Sequence, residues 1–261
     1  MWSWFLRPQR EGLLNQPFPK GWEAHLQRNV AHYPMLSEEQ QARLKAETQV
    51  LVGQKYWEGC NGLGITDEMK VTIAAQASLM LLGLPDDSFR RVLSILVYPT
   101  SFTTPKEEWE ANDPSWAMAG QAVYRGPVIL AWDSVLSEGR DPSIGRNLVI
   151  HEFAHQLDFL DGYANGTPDL ISPDEAKRWH DVMTTEFSFL RRAVDGGHGT
   201  FLGEYAASNE TEFFSVVSER FFTVPAQLRH YHQNLYDLLA EFYGVEPMKW
   251  FARKKTNNQA G

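Results

Sequence analysis

The segment His151-Glu152-Phe153-Ala154-His155 sets two imidazoles four residues apart, with a carboxylate beside the first. On a helix that spacing is about one turn, so both rings leave the same face. Two nitrogen donors placed this way can occupy adjacent corners of a zinc tetrahedron. Glu152 can reach water activated by the metal without being a ligand, which makes it the candidate general base. The chemistry implied is metal-assisted hydrolysis, with one zinc ion per chain and a peptide as substrate. Leu148, Val149, Ile150, Phe153, Ala154, Leu157 and Leu160 supply apolar neighbours for a buried helix. Ser143 is its expected N-cap and Asp161-Gly162 its expected stop.

A catalytic zinc needs a third protein ligand and an open position. A metzincin continuation requires Gly at 158 and His at 161, where this chain has Asp158 and Asp161. Asp161 can stand as an aspartate variant of that pattern, but without the glycine the chain turns poorly beneath the metal. The better source is Tyr205-Ala206-Ala207-Ser208-Asn209-Glu210-Thr211-Glu212-Phe213-Phe214-Ser215, a second helix that can close the site from its first turn. Glu210, Glu212 and Glu219 are all available there. Glu212 directly precedes an apolar run, where a carboxylate faces inward only if something positive awaits it. Glu210 and Glu219 read as exposed charge. Asp158 reads equally as an acceptor for a ligand histidine's other N–H and as a helix-end salt bridge.

The elements around this pair must hold it. With 43% hydrophobic residues in 261, the chain can build a sizeable core. Residues 1–20, rich in Pro, Gln and Arg, are expected as an extended arm, 21–250 as a single catalytic domain, and 251–261 as a polar tail. Helical patterns run from Trp22 to His32, from the capping box at Ser37 to Val52, and from the cap Thr66 through Asp67 to Leu82. After Pro85 the texture becomes β-rich. Val92 to Tyr98, then Val123-Tyr124, a turn at Arg125-Gly126-Pro127, and Val128 to Trp132 read as strands. The last of these fits a peptide-binding edge strand or a buried core strand. Further helices are expected near 144–160, 173–191, 208–222 and 225–243. The order suggests an α+β domain with a small mixed sheet packed on the metal helix.

The formal charge of −9 argues against a direct nucleic-acid ligand, since binding phosphate needs a basic face. Arg253-Lys254-Lys255 is the one strong positive run and reads as solvated. The single cysteine, Cys60, cannot close an intramolecular disulfide, and it reads as a plain loop residue. His230-x-His232 points its rings apart and reads as surface. The apolar start Met1 to Leu6 is too short for a signal peptide, and no apolar run approaches a membrane span. A cytoplasmic protein is expected.

The blocks His151-Glu152-Phe153-Ala154-His155-Gln156-Leu157-Asp158 and Asn209-Glu210-Thr211-Glu212-Phe213-Phe214 resemble the bacterial Mlc titration factor A family. That family belongs to the glutamate-zincin peptidases and is similar to the catalytic domain of anthrax lethal factor. Thr66 to Ala77, Ile95 to Pro99 and Gly126 to Trp132 extend the resemblance to roughly residues 20–250. It implies a mainly helical, zincin-like metallopeptidase fold. His151, His155 and Glu212 become the zinc ligands and Glu152 the general base. Tyr205 takes the place of a tyrosine that faces the metal and can donate to the oxyanion. The acid that follows the ligand glutamate by four residues in lethal factor is Val216 here, so its role falls elsewhere or is absent. The resemblance further implies aminopeptidase-type activity and binding of the glucose repressor Mlc, which relieves repression of phosphotransferase-system genes. A protein that mainly sequesters the repressor, with minor or regulatory hydrolysis, is the alternative. The acidic charge suits a basic DNA-binding partner.

Overall fold

Ser37 and Thr66 open their helices as their side chains require. In a computed structural model that describes residues 3–100, 127–170 and 172–257, with side chains from 8 to 252, Ser37 Oγ accepts the Gln40 N–H at 3.3 Å and Gln40 Oε1 accepts the Ser37 N–H at 3.1 Å. This reciprocal box satisfies two N–H groups that helix geometry leaves unpaired. Thr66 Oγ1 likewise accepts the Met69 N–H. The helices in order are α1 (Ser3–Leu14), α2 (Trp22–Asn29), α3 (Glu38–Gln54), α4 (Asp67–Met80), α5 (Trp132–Arg140) and α6 (Leu148–Asp158). They continue as α7 (Pro173–Asp195), α8 (Glu210–Thr223), α9 (Pro225–Tyr231), α10 (Gln233–Tyr243) and α11 (Pro247–Asn257).

Three strands, β1 (Tyr56–Gly59), β2 (Ser94–Tyr98) and β3 (Val128–Ala131), form one sheet in the order β1-β2-β3. Both pairs are parallel, with Trp57 opposite Ile95 and Ile95 opposite Val128. The expected mixed sheet is therefore a parallel one across the described strands. The strand expected at Val123-Tyr124 lies outside the described residues. Tyr56–Gly59 escaped the sequence reading because a four-residue, half-exposed strand becomes one only by pairing. Among the described residues β3 is an edge strand. Val128 and Leu130 turn into the core while Ile129 is 44% exposed, so it combines the two expected characters.

Residues 3–14 form a helix instead of an extended arm. Its register against α3 is held by Arg10, whose guanidinium reaches both Glu47 oxygens at 2.6 and 3.0 Å, and by Gln49 Nε2 on the Leu13 carbonyl at 2.6 Å. A Cβ at Gly53 would sit 2.6 Å from Leu13 Cδ2, so the glycine is what lets these helices approach. Composition missed this because tertiary packing supplies the stability that local propensity does not. At the other end, α11 carries the backbone helix to Asn257, into the expected tail, and its Trp250 is buried against Phe222. The side chains of Arg253, Lys254 and Lys255 lie outside the described residues.

The segment expected as one helix over 225–243 breaks at His232, which has φ −142° and ψ 64°. Its ring is tucked in, with Nδ1 2.9 Å from Glu186, so only His230 of the pair is on the surface as expected. Helix α4 is buried at Met69 and from Val71 through Met80. It packs beside α6, with Phe153 of α6 in edge contact with Phe89, centroids 4.7 Å apart. Trp179, Phe214 and Phe242 fill the space between α7, α8 and α10. Among the described residues no helix is long and apolar enough to cross a membrane.

Candidate metal centre

Helix α6 starts four residues later than Ser143 implied. Pro142–Ile144 is a separate 3-10 turn, closed by Gly145 in the left-handed region at φ 78°. Asn147 is the N-cap, its Oδ1 accepting the Ile150 N–H at 3.0 Å. The helix ends at Asp158, ahead of the expected stop. His151 and His155 then stand on one face, with Nε2 atoms 3.2 Å apart and ring planes at 84°.

Helix α8 packs across α6 and brings Glu212 to the same point. Glu212 sits in the first turn of α8, where Asn209 Oδ1 accepts its N–H at 2.9 Å. Its Oε2 lies 3.1 Å from His151 Nε2 and 3.6 Å from His155 Nε2. That oxygen is buried and makes no well-formed hydrogen bond. The three donor atoms lie within 4.8 Å of one another, a spacing that can hold a metal ion.

The far ring nitrogens are occupied. His151 Nδ1 is 2.7 Å from Glu219 Oε1, and His155 Nδ1 is 3.0 Å from Ser215 Oγ. A carboxylate on Nδ1 favours the tautomer that leaves Nε2 free to ligate. Electrostatics favour a cation at this point. Burial opposes charge on His151, but contacts with Glu212 and Glu219 outweigh it and hold its pKa up to about 10. Burial also works to raise the Glu212 carboxyl, yet the two histidines hold it well below the usual carboxylate range. The site thus carries more carboxylate than its neutral imidazoles balance, and a proton on His151 answers that excess when no metal does. A buried oxygen without a proper partner, two nitrogens aimed at it and this surplus of negative charge fit a divalent cation of the zinc type.

Glu152 keeps part of its surface open, and burial raises its carboxyl while His151 and His155 pull the other way. Tyr205 lies on the 3-10 turn Tyr205–Ala207 that leads into α8, its ring centroid 6.0 Å from that of His151. The residue is 53% exposed, and burial of its hydroxyl end together with the charge of Glu212 pushes the phenol above its ordinary range. It therefore keeps its proton at neutral pH. All five residues expected at the site, His151, Glu152, His155, Tyr205 and Glu212, are thus gathered in one place.

Several neighbouring expectations change. Glu219 is 6% exposed and belongs to the site, whereas Glu210 is exposed at the helix start as expected. A polar stripe at 212, 215 and 219, spaced i, i+3, i+7 on one face of the helix, is the signal that marks Ser215 and Glu219. Asp158 is fully buried, but its Oδ1 accepts the N–H groups of Asn165 and Thr167 at 3.3 and 2.8 Å, tying down the loop after α6. Asp161 caps the exposed Tyr163 N–H. Val216 is buried in the core. Cys60 follows β1, its N–H on the Val97 carbonyl and its thiol beside Tyr98.

The model of the glucose-regulated metallo-peptidase M90 family matches residues 4–244. This chain belongs to that family. It is 30% identical to Mlc titration factor A of Yersinia pestis over 255 residues, covering 95% of this chain and 90% of that protein. The Mlc titration factor A of Yersinia pseudotuberculosis is similar to the same degree. An uncharacterised protein of Synechocystis sp. PCC 6803 is 35% identical over 241 residues, 90% of this chain and 88% of its own length. Membership in M90 makes a metallopeptidase of the chain's family, and the His151-His155-Glu212 group is where a metal can sit.

Proposed function

We propose that this M90 chain is a zinc-dependent, aminopeptidase-type peptidase working in the cytoplasm. The observation that carries the reading is the convergence of His151 Nε2, His155 Nε2 and Glu212 Oε2 within 4.8 Å beside a free carboxylate, Glu152. Bound there, zinc supplies Lewis acidity towards a carbonyl oxygen and lowers the pKa of water. Glu152, its carboxyl raised by burial, takes the proton of the attacking water and hands it to the leaving amine. Tyr205, held in its protonated form, donates a hydrogen bond to the oxygen on which negative charge develops. Ser215 and Glu219 keep the two imidazoles oriented from behind.

Metal removal tests this reading. Purified protein treated with a chelator loses turnover of chromogenic aminoacyl substrates, and stoichiometric zinc restores it. Activity indifferent to both treatments counts against a metal-dependent peptidase.

Sequestration of a repressor is the second reading, favoured by the Mlc titration factor A relatives and by the formal charge of −9. A basic, DNA-binding protein such as Mlc is the partner it implies. Capture experiments on zinc-loaded and zinc-stripped protein retain the repressor in at least one form. Its absence from both removes this reading.

A further inference from the structure

We propose that Glu219 is a positioning residue that ties the tautomer of His151 to the start of the metal helix, making metal affinity depend on a buried polar chain running back to Gln76. The proposal rests on the metal-centre reading above and adds what holds that centre.

Every donor in the chain has one possible direction. Asn147 Oδ1 is committed to the Ile150 N–H at 3.0 Å. Its Nδ2 therefore donates to Gln76 Oε1 at 2.7 Å, and Gln76 Nε2 donates to the Val135 carbonyl at 3.1 Å. The backbone N–H of Asn147 donates to Glu219 Oε2 at 2.7 Å, while Glu219 Oε1 faces His151 Nδ1 at 2.7 Å. Gln76, Asn147 and Glu219 are 1%, 0% and 6% exposed, so solvent cannot substitute for a lost partner.

A carboxylate is the only side chain of this size that serves both contacts. It accepts at each oxygen, so Nδ1 keeps its proton and Nε2 is the atom left for the metal. A glutamine has one oxygen and one NH2. The Asn147 N–H can only donate, so the amide oxygen turns to it and the NH2 is left facing Nδ1. His151 must then accept at Nδ1 and carry its proton on Nε2, the atom the metal needs. The reverse amide orientation keeps the tautomer but sets NH2 against N–H at the helix start. Ser215 differs, because a hydroxyl can donate or accept and so leaves the tautomer of His155 open.

The test compares wild type, E219Q and S215A by zinc competition against a chromogenic chelator, with metal-free thermal unfolding as the control for folding. E219Q binds zinc about 10–100-fold more weakly, and S215A loses less. In cadmium-loaded wild type, nitrogen NMR finds the His151 proton on Nδ1 and cadmium coupling on Nε2. Equal zinc affinity of folded E219Q and wild type overturns the proposal while leaving the metal centre intact. Where E219Q does not fold, the wild-type spectrum decides, and a proton on Nε2 overturns it. Wild type that binds no zinc sinks both the metal centre and the proposal.

Discussion

Replacing Glu152 with Gln leaves zinc binding intact and lowers turnover by about 10²–10⁴-fold, the usual contribution of a positioned general base. The two halves of this result come from different atoms. The atoms that can hold a metal are His151 Nε2, His155 Nε2 and Glu212 Oε2, none of which the substitution touches. The amide keeps the volume of the carboxylate but accepts no proton at neutral pH. Burial already raises the Glu152 carboxyl, so the native base is stronger than an exposed glutamate and more is lost with it. Steady-state kinetics with zinc content measured on the same sample checks this. Turnover within a few-fold of wild type, at full zinc, removes Glu152 from the reaction.

Replacing Glu212 with Gln has the opposite signature, because it removes the only carboxylate donor of the group. Zinc affinity falls by more than the roughly 100-fold seen at most for outer-shell partners, and turnover at stoichiometric zinc disappears with it. The metal-free fold also loses the pairing of this carboxylate with His151 and His155. Glu212 sits in the first turn of α8, where a negative side chain is worth about 0.3–1 kcal/mol against the helix dipole, and the Asn209 cap remains in place. Chelator competition and thermal unfolding separate the two effects. If the variant binds zinc as tightly as wild type, the third ligand lies elsewhere.

Local signals made much of this molecule legible. Capping boxes and N-caps act within four residues, so Ser37 and Thr66 announced α3 and α4. The spacing of His151 and His155 is likewise a property of one helical turn. The reading failed where a partner distant in sequence decided the outcome. Residues 3–14 become a helix because Glu47 and Gln49 hold them, Tyr56–Gly59 becomes a strand because Ser94–Val97 pairs with it, and Asp158 serves a loop instead of a histidine.

The histidine pair, four residues apart, was thus written into the sequence by itself, and Glu212 was the favoured one of three available glutamates. The chain's membership of a metallopeptidase family was equally visible in those blocks. Only the tertiary structure made a centre of them, by crossing α8 over α6 so that residues 61 positions apart in sequence, 151 and 212, share one point. It also turned Glu219 from an exposed charge into the residue behind His151. Helical periodicity specifies which residues share a face, but which face is buried, and against what, is set by packing. A glutamate's role follows from its surroundings, and those surroundings are supplied by helices that no local pattern brings together.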